Sequence, residues 1–231
     1  MNESDTIRLV ISDLHLGSAY SKESRICELL KEVECDELIL AGDVIDFIKI
    51  PTFTKDTLDI FNIIKSKECR VIYIIGNHDF VLESFVGERL DCIEFVESYE
   101  FDYAGRKFRI EHGDKYQNGI VHWRYFMNIF SVFQDWIERT FKYNLALLYV
   151  KWKKRKLKRI WDISQWNDDV DVFIMGHTHK PEALIWVDHK GSIKTYVNTG
   201  DWIDHETYVL IKDGNVRLKN YSQQNQFIDD N

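Results

Sequence analysis

Val172-Phe173-Ile174-Met175-Gly176-His177-Thr178-His179 is the stretch that decides how this chain is read. Four consecutive apolar residues suit a strand buried on both faces. A glycine ends the run, and two imidazoles follow at alternate positions. On a loop leaving a buried strand, that spacing places the pair to ligate metal, both facing one ion or dividing between two.

The same pattern recurs outward from this stretch. The apolar run 7–11 leads to Asp13-Leu14-His15, and Leu38-Ile39-Leu40-Ala41 leads to Gly42-Asp43. The run 71–75 leads to Gly76-Asn77-His78-Asp79, and 107–110 leads to Glu111-His112-Gly113-Asp114. In open α/β sheets, ligands sit beyond the carboxyl ends of the strands. The strand ends therefore deliver His, Asp and Asn to what reads as one place. Each motif alone has an ordinary reading, since a strand-end Asp caps a helix or turn and Asn-His is common turn chemistry. The ordered set does not.

The donor types narrow the chemistry. Carboxylate, imidazole and amide oxygen together suit Mn²⁺, Fe²⁺ or Zn²⁺. An all-oxygen calcium site and a thiolate-bound structural zinc both fit poorly. Two divalent transition-metal ions about 3.5–4 Å apart need a shared carboxylate. Asp43, between the two groups of motifs, is the natural bridge.

Elsewhere the periodicity predicts helices over 22–33 (Ile26, Leu29, Leu30 and Val33 on one face) and 58–64. Short strands are expected at 195–197, ending in Asn198-Thr199-Gly200, and at 207–211, with a polar tail from Gln223. Residues 120–166 differ. Trp123, Phe126, Met127, Phe130, Phe133, Ile137 and Phe141 fall at steps of three or four, as in a helix. Five of the seven tryptophans lie there.

The 231 residues suffice for a single domain spanning the chain, with a helical insertion at about 118–167. A 45% hydrophobic share excludes a disordered polymer. Cys27, Cys35, Cys69 and Cys92 form no CxxC pair and read as reduced, mostly buried thiols of a cytoplasmic protein. No signal-peptide pattern opens the sequence, and no run reaches the ~20 apolar residues of a membrane span. The net charge is −8, yet 142–159 holds eight Lys and Arg and no acid, which leaves −16 for the rest. That asymmetry implies a local anionic partner, not a generally basic nucleic-acid binder.

The ordered motifs D-x-H, G-D, G-N-H-D, H and G-H-x-H resemble the calcineurin-like metallophosphoesterases, from Asp13 to about Asp201. The resemblance implies an α/β (α+β type) fold, a four-layer α-β-β-α sandwich with its site on loops at one edge. It assigns Asp13, His15, Asp43 and His179 to one metal, and Asp43, Asn77, His112 and His177 to the other. It implies hydrolysis by water whose pKa falls from about 15.7 towards ~7. His78 is then placed to donate a proton, and Asp79 either orients that imidazole or caps a helix. Asp46 reads as a supporting carboxylate or a solvated turn residue.

His112-Gly113-Asp114 and Asn198-Thr199-Gly200-Asp201-Trp202 further resemble the UDP-2,3-diacylglucosamine hydrolase subgroup, which cleaves a nucleotide-linked lipid pyrophosphate at a membrane surface. The subgroup reads G-N-R-D where this chain has His78. Candidate substrate contacts are Asp114, Lys153 and Lys156. The basic, Trp-rich insertion suits a phosphorylated small-molecule or lipid substrate and peripheral membrane contact through 142–159. A helical hairpin with a solvated basic face remains the plain alternative, and single-stranded nucleic acid a weaker one. A small phosphoester or nucleotide substrate and a non-catalytic scaffold are the competing functions. Oligomeric state is left open.

Overall fold

A computed structural model describes residues 6–48, 50–116 and 169–222. By its contacts the chain divides into one unit of residues 1–113 with 167–231 and another of 114–166. Only the short 3-10 turn Asp114–Tyr116 of the second unit is described.

The first unit is two packed sheets. One is formed by β1 (Arg8–Ile11), β2 (Glu37–Ala41), β3 (Arg70–Ile74), β4 (Arg89–Leu90), β5 (Ile93–Val96), β11 (Thr207–Lys212) and β12 (Asn215–Asn220). Its order is β12-β11-β1-β2-β3-β5-β4. The other is β6 (Ser98–Tyr103), β7 (Arg106–Glu111), β8 (Val172–Met175), β9 (Glu182–Val187) and β10 (Ile193–Asn198), ordered β6-β7-β8-β10-β9.

Alternation along the strands builds two cores. Val10, Ile39, Ala41, Ile72, Ile74 and Val209 face Phe108, Ile110, Val172, Ile174 and Val197 between the sheets. On the other face of the first sheet, Leu9, Ile11, Leu38, Leu40, Val71 and Tyr73 pack on α1 (Glu23–Glu32) and α2 (Lys55–Ser66). Strands buried on both faces explain the unbroken apolar runs. This gives three layers of the expected sandwich, a mixed α/β arrangement. The helical insertion expected at about 118–167 lies outside the described residues.

The centre of the sheet is parallel: β1 pairs β2, and β2 pairs β3, in parallel. In the second sheet β7 pairs β8 and β8 pairs β10 in parallel. Within each set, the carboxyl ends open on one side.

Several expectations need correction. Helix α2 begins at Lys55, before the expected 58, because Thr54 and Thr57 form a reciprocal capping box. Thr54 Oγ1 accepts from Thr57 N at 3.2 Å, and Thr57 Oγ1 from Thr54 N at 2.9 Å. A threonine in the third helical position does what Glu or Gln usually does there. The β11–β12 hairpin turns at Asp213-Gly214, both at positive φ as a two-residue primed turn demands. Of the four free cysteines Cys27 is buried, and Cys35, Cys69 and Cys92 are partly buried against the same core.

Candidate metal centre

Most of the predicted polar residues at the strand ends converge. Asp13 and His15 follow β1, Asp43 follows β2, and Asn77 and His78 follow β3. His112 follows β7, and His177 and His179 follow β8. Backbone ties align the loops: Asp13 N donates to Gly42 O at 3.0 Å, and Gly176 N to His112 O at 3.1 Å. His177 N donates to Asp13 Oδ2 at 3.0 Å, which joins the two sheets' edges.

Spacing alone left the Gly-His-Thr-His pair undivided. The fold divides it. One ligand atom from each of Asp13, His15 and His179 lies within 4.8 Å of the others, and the same holds for Asp43, His112 and His177. Asp43 also groups with His15 and His78, so it stands between the two sets.

The loops are not extended. Asp13, His15, Asp43, His177 and His179 all have φ between 48° and 66°. A left-handed non-glycine residue costs about 1–3 kcal/mol at such sites, and persists only where its surroundings dictate it. The kinked loops approach one another closely. Gly42, at φ 86°, lets this happen, since a Cβ there would run into the His112 ring. Gly76 does the same for Asp43, against whose amide and Oδ1 a Cβ would collide.

The donor atoms fit cations. His112 Nδ1 lies 3.0 Å from Ala41 O, which fixes the proton on Nδ1 and leaves Nε2 a lone pair. That Nε2 meets Asn77 Oδ1 at 3.2 Å and Asp43 Oδ2 at 3.2 Å, so three electron-rich atoms converge. His15 Nε2 and His179 Nε2 face each other at 3.3 Å. Asp13 Oδ1 is buried and accepts no aligned hydrogen bond, although His179 Nε2 is 3.2 Å away. Divalent ions satisfy all three arrangements.

The electrostatics agree. Burial, reinforced by His78, lowers His15 to about 4, so its imidazole is neutral near pH 7. Burial alone would raise Asp43, but His112 and His78 outweigh it and hold the carboxyl well below its usual range. Burial would lower His179, yet Asp13 and Asp201 raise it to about 10. Without an ion, that ring carries a proton that a metal must displace.

His78 has a different environment from the seven. Its Nδ1 lies 2.9 Å from Asp46 Oδ1, and its Nε2 3.8 Å from Asp43 Oδ2. These two carboxylates overcome the effect of burial and raise its pKa. The expected partner, Asp79, is occupied elsewhere. Its carboxylate accepts from Val44 N (3.1 Å), Ile45 N (2.9 Å), Gly76 N (3.3 Å) and Tyr73 Oη (2.9 Å). Nor does its side chain cap the 3-10 turn Phe80–Phe85. Asp79 thus ties the Asp43 loop to the Asn77 loop. Burial, with Asp43 nearby, raises it to about 6 despite these donors.

Asp79→Ala is expected to lower stability by at least about 3 kcal/mol, because it leaves buried amides unpaired. For a domain of this size that is roughly 6–12 °C in melting temperature, readable by calorimetry. A shift of a degree or less would show that water replaces the carboxylate.

Other residues at the site were not singled out for it from the sequence. Ser12 Oγ bonds Asp13 Oδ2 and also Thr199 Oγ1. Asn198 Nδ2 donates to Gly176 O at 2.7 Å. The available signal was the strand end Asn198-Thr199-Gly200-Asp201, which repeats the pattern of the others. Asp114 sits in the second unit, and Lys153 and Lys156 lie outside the described residues.

Comparison with known proteins places this geometry. The calcineurin-like phosphoesterase family model matches residues 8–181. A UDP-2,3-diacylglucosamine hydrolase of Vibrio cholerae is 23% identical over 87% of this chain and 93% of its own. One of Vibrio atlanticus is 23% identical over 94% and 98%. The phosphoesterase Yfce from E. coli shares the fold with a TM-score of 0.51, at 13% identity over 94% of each chain. The matched span takes in the loops that carry Asp13, His15, Asp43, Asn77, His78, His112, His177 and His179, and the chain belongs to the calcineurin-like phosphoesterase family, as a phosphoester hydrolase built to hold divalent metal.

Proposed function

We propose that this chain is a dinuclear hydrolase that cleaves the pyrophosphate of a nucleotide-linked lipid of the UDP-2,3-diacylglucosamine type. The observation that carries the dinuclear reading is Asp43, which groups with His112 and His177 on one side and with His15 and His78 on the other, His15 in turn grouping with Asp13 and His179. In it, Asp13, His15, Asp43 and His179 hold one ion, and Asp43, Asn77, His112 and His177 the other, with Mn²⁺ the first choice over Fe²⁺ or Zn²⁺. When bound, such a pair supplies Lewis acidity towards phosphoryl oxygen and acidifies water at neutral pH.

The protein's own groups do the rest. Asp43 Oδ1 accepts from His78 N at 2.7 Å, which fixes the carboxylate's rotation and the start of the His78 loop together. Asp46 accepts His78 Nδ1–H and turns Nε2 towards the cluster. The two carboxylates raise the pKa of His78 and so favour the protonated ring, whose Nε2–H can donate to the phosphoryl group or the departing oxygen. The low pKa of His15 keeps the lone pair of one ring nitrogen available.

The lipid pyrophosphate reading is supported by the relatives named UDP-2,3-diacylglucosamine hydrolases and by the basic, Trp-rich 142–159 segment, which would meet an anionic surface at about 1 kcal/mol per cation. No helix among the described residues is long and apolar enough to cross a membrane. We take the chain as one catalytic domain carrying an insertion, acting in the cytoplasm at the membrane surface. Asp114, Lys153 and Lys156 are retained as substrate contacts. A second reading, a phosphodiesterase or phosphatase on a nucleotide or other small phosphoester, is favoured by His78, which pairs with Asp46 where the subgroup has Arg.

A screen of the Mn²⁺-loaded protein separates these readings, using a nucleotide-diphosphate lipid, a cyclic nucleotide, a phosphomonoester and short DNA. Preferred cleavage of the lipid supports the first reading. Cleavage of only the small esters selects the second. No hydrolysis of any substrate overturns both.

A further inference from the structure

Asp201 is a fully buried carboxylate with an unusual share of donors. Its Oδ1 accepts from Ile203 N (2.9 Å), Asp204 N (2.6 Å) and His205 N (3.2 Å). Its Oδ2 lies 2.8 Å from His205 Nδ1 and 3.5 Å from His179 Nδ1. The backbone beside it is tied to the same cluster, since Trp202 N donates to Asp13 O at 3.2 Å. The three amides fix the carboxylate plane, so Oδ2 is held towards the inner edge of the His179 ring. The other edge of that ring faces the cluster: Nε2 is 3.2 Å from Asp13 Oδ1 and 3.3 Å from His15 Nε2.

We propose that Asp201 is a positioning residue that fixes His179 as an Nε2 ligand by accepting its Nδ1–H. The proposal rests on the metal reading above. A neutral imidazole has one N–H and one lone pair, and the partner of one nitrogen decides which atom is left to ligate. An anchored carboxylate on Nδ1 selects the Nε2 lone pair and makes it more basic. His205, 39% exposed at its side chain, approaches the same oxygen from the solvent side and completes the cage.

Asp201→Asn is the informative variant. Its oxygen can still accept the three amides, so the amide –NH₂ takes the place of Oδ2. That donor faces Nδ1 and favours the tautomer with hydrogen on Nε2, the wrong one for ligation, as in the Asp→Asn variants of catalytic triads. Mn²⁺ titrations should show one of two ions bound 10–100-fold more weakly. The other ion should bind as before, and the metal-free melting temperature should stay near that of the native chain. A purely structural role would lower that temperature and weaken both ions alike. In a His179→Ala background, Asp201→Asn should add nothing to the loss.

The native chain gives an independent readout. In ¹⁵N spectra of the Zn²⁺-loaded protein, His179 should carry hydrogen on Nδ1 and metal on Nε2. Ligation through Nδ1, or Asp201→Asn binding two ions as tightly as the native chain, overturns the inference while leaving the metal reading intact. A native chain that takes up no ion overturns both.

Discussion

Asp43→Asn should abolish nearly all phosphoesterase activity and cost the protein one of the two ions proposed for it. Asp43 groups with His112 and His177 on one side and with His15 and His78 on the other. Its Oδ2 lies 3.2 Å from His112 Nε2, and its Oδ1 is committed to the His78 amide at 2.7 Å. Asparagine keeps the second contact and removes the charge that both ions would share. The fall in kcat/KM should be on the order of 10³-fold or more, about 4 kcal/mol of transition-state stabilisation. The metal-free variant should fold, because the bond to His78 N survives. The decisive sign is a smaller gain in melting temperature on adding Mn²⁺, since stabilisation by a ligand grows with the affinity for the folded state. A variant with native stoichiometry and activity would remove Asp43 from the centre of the mechanism.

His78→Gln should behave differently: two ions retained, with kcat lowered about 10²–10⁴-fold, the range for loss of a positioned proton donor. The pH profile separates this from a structural effect. The donating form is the protonated imidazole, and Asp43 and Asp46 raise its pKa against the opposing effect of burial. Activity in the native enzyme should therefore hold below that pKa and fall as pH rises through it. The variant should lose this alkaline limb. It should also lose least on aryl esters, whose leaving group departs without a proton. Asp46→Asn should shift the limb to lower pH, because it removes one of the two charges that raise the imidazole. An unchanged limb in both variants would assign the titration to another group.

The strand ends were legible because each combines a buried apolar run with a polar residue that has no reason to sit there. That is a local signal, and it marks Asp13, His15, Asp43, Asn77, His112, His177 and His179, whose polar atoms the fold brings together. The division of His177 from His179 was not legible in the residues, because it depends on left-handed turns at both positions. Spacing treats such a loop as extended. Asp79 and Asp46 show a second limit. Adjacency favoured Asp79 as the partner of His78, but its side chain turns into the protein and binds amides more than 30 residues away in sequence. Asp46, distant in sequence, takes the imidazole. Asp201 lies in the stretch that carries the subgroup resemblance, but only the fold reveals the amides that immobilise it. The capping box at Thr54 and the Asp213-Gly214 turn were local features and readable in principle.

Metal uptake by the native chain tests the central claim most directly. Calorimetric titration of the metal-free protein with Mn²⁺ near pH 7, in buffers of different ionisation enthalpy, counts both ions and protons. About two ions per chain should bind, with phosphoesterase activity appearing as the second site fills. Protons should be released, because His179 is raised to about 10 without metal, and affinity should weaken as pH falls. Binding of a single ion, of none, or of two without proton release and without activity would contradict the account.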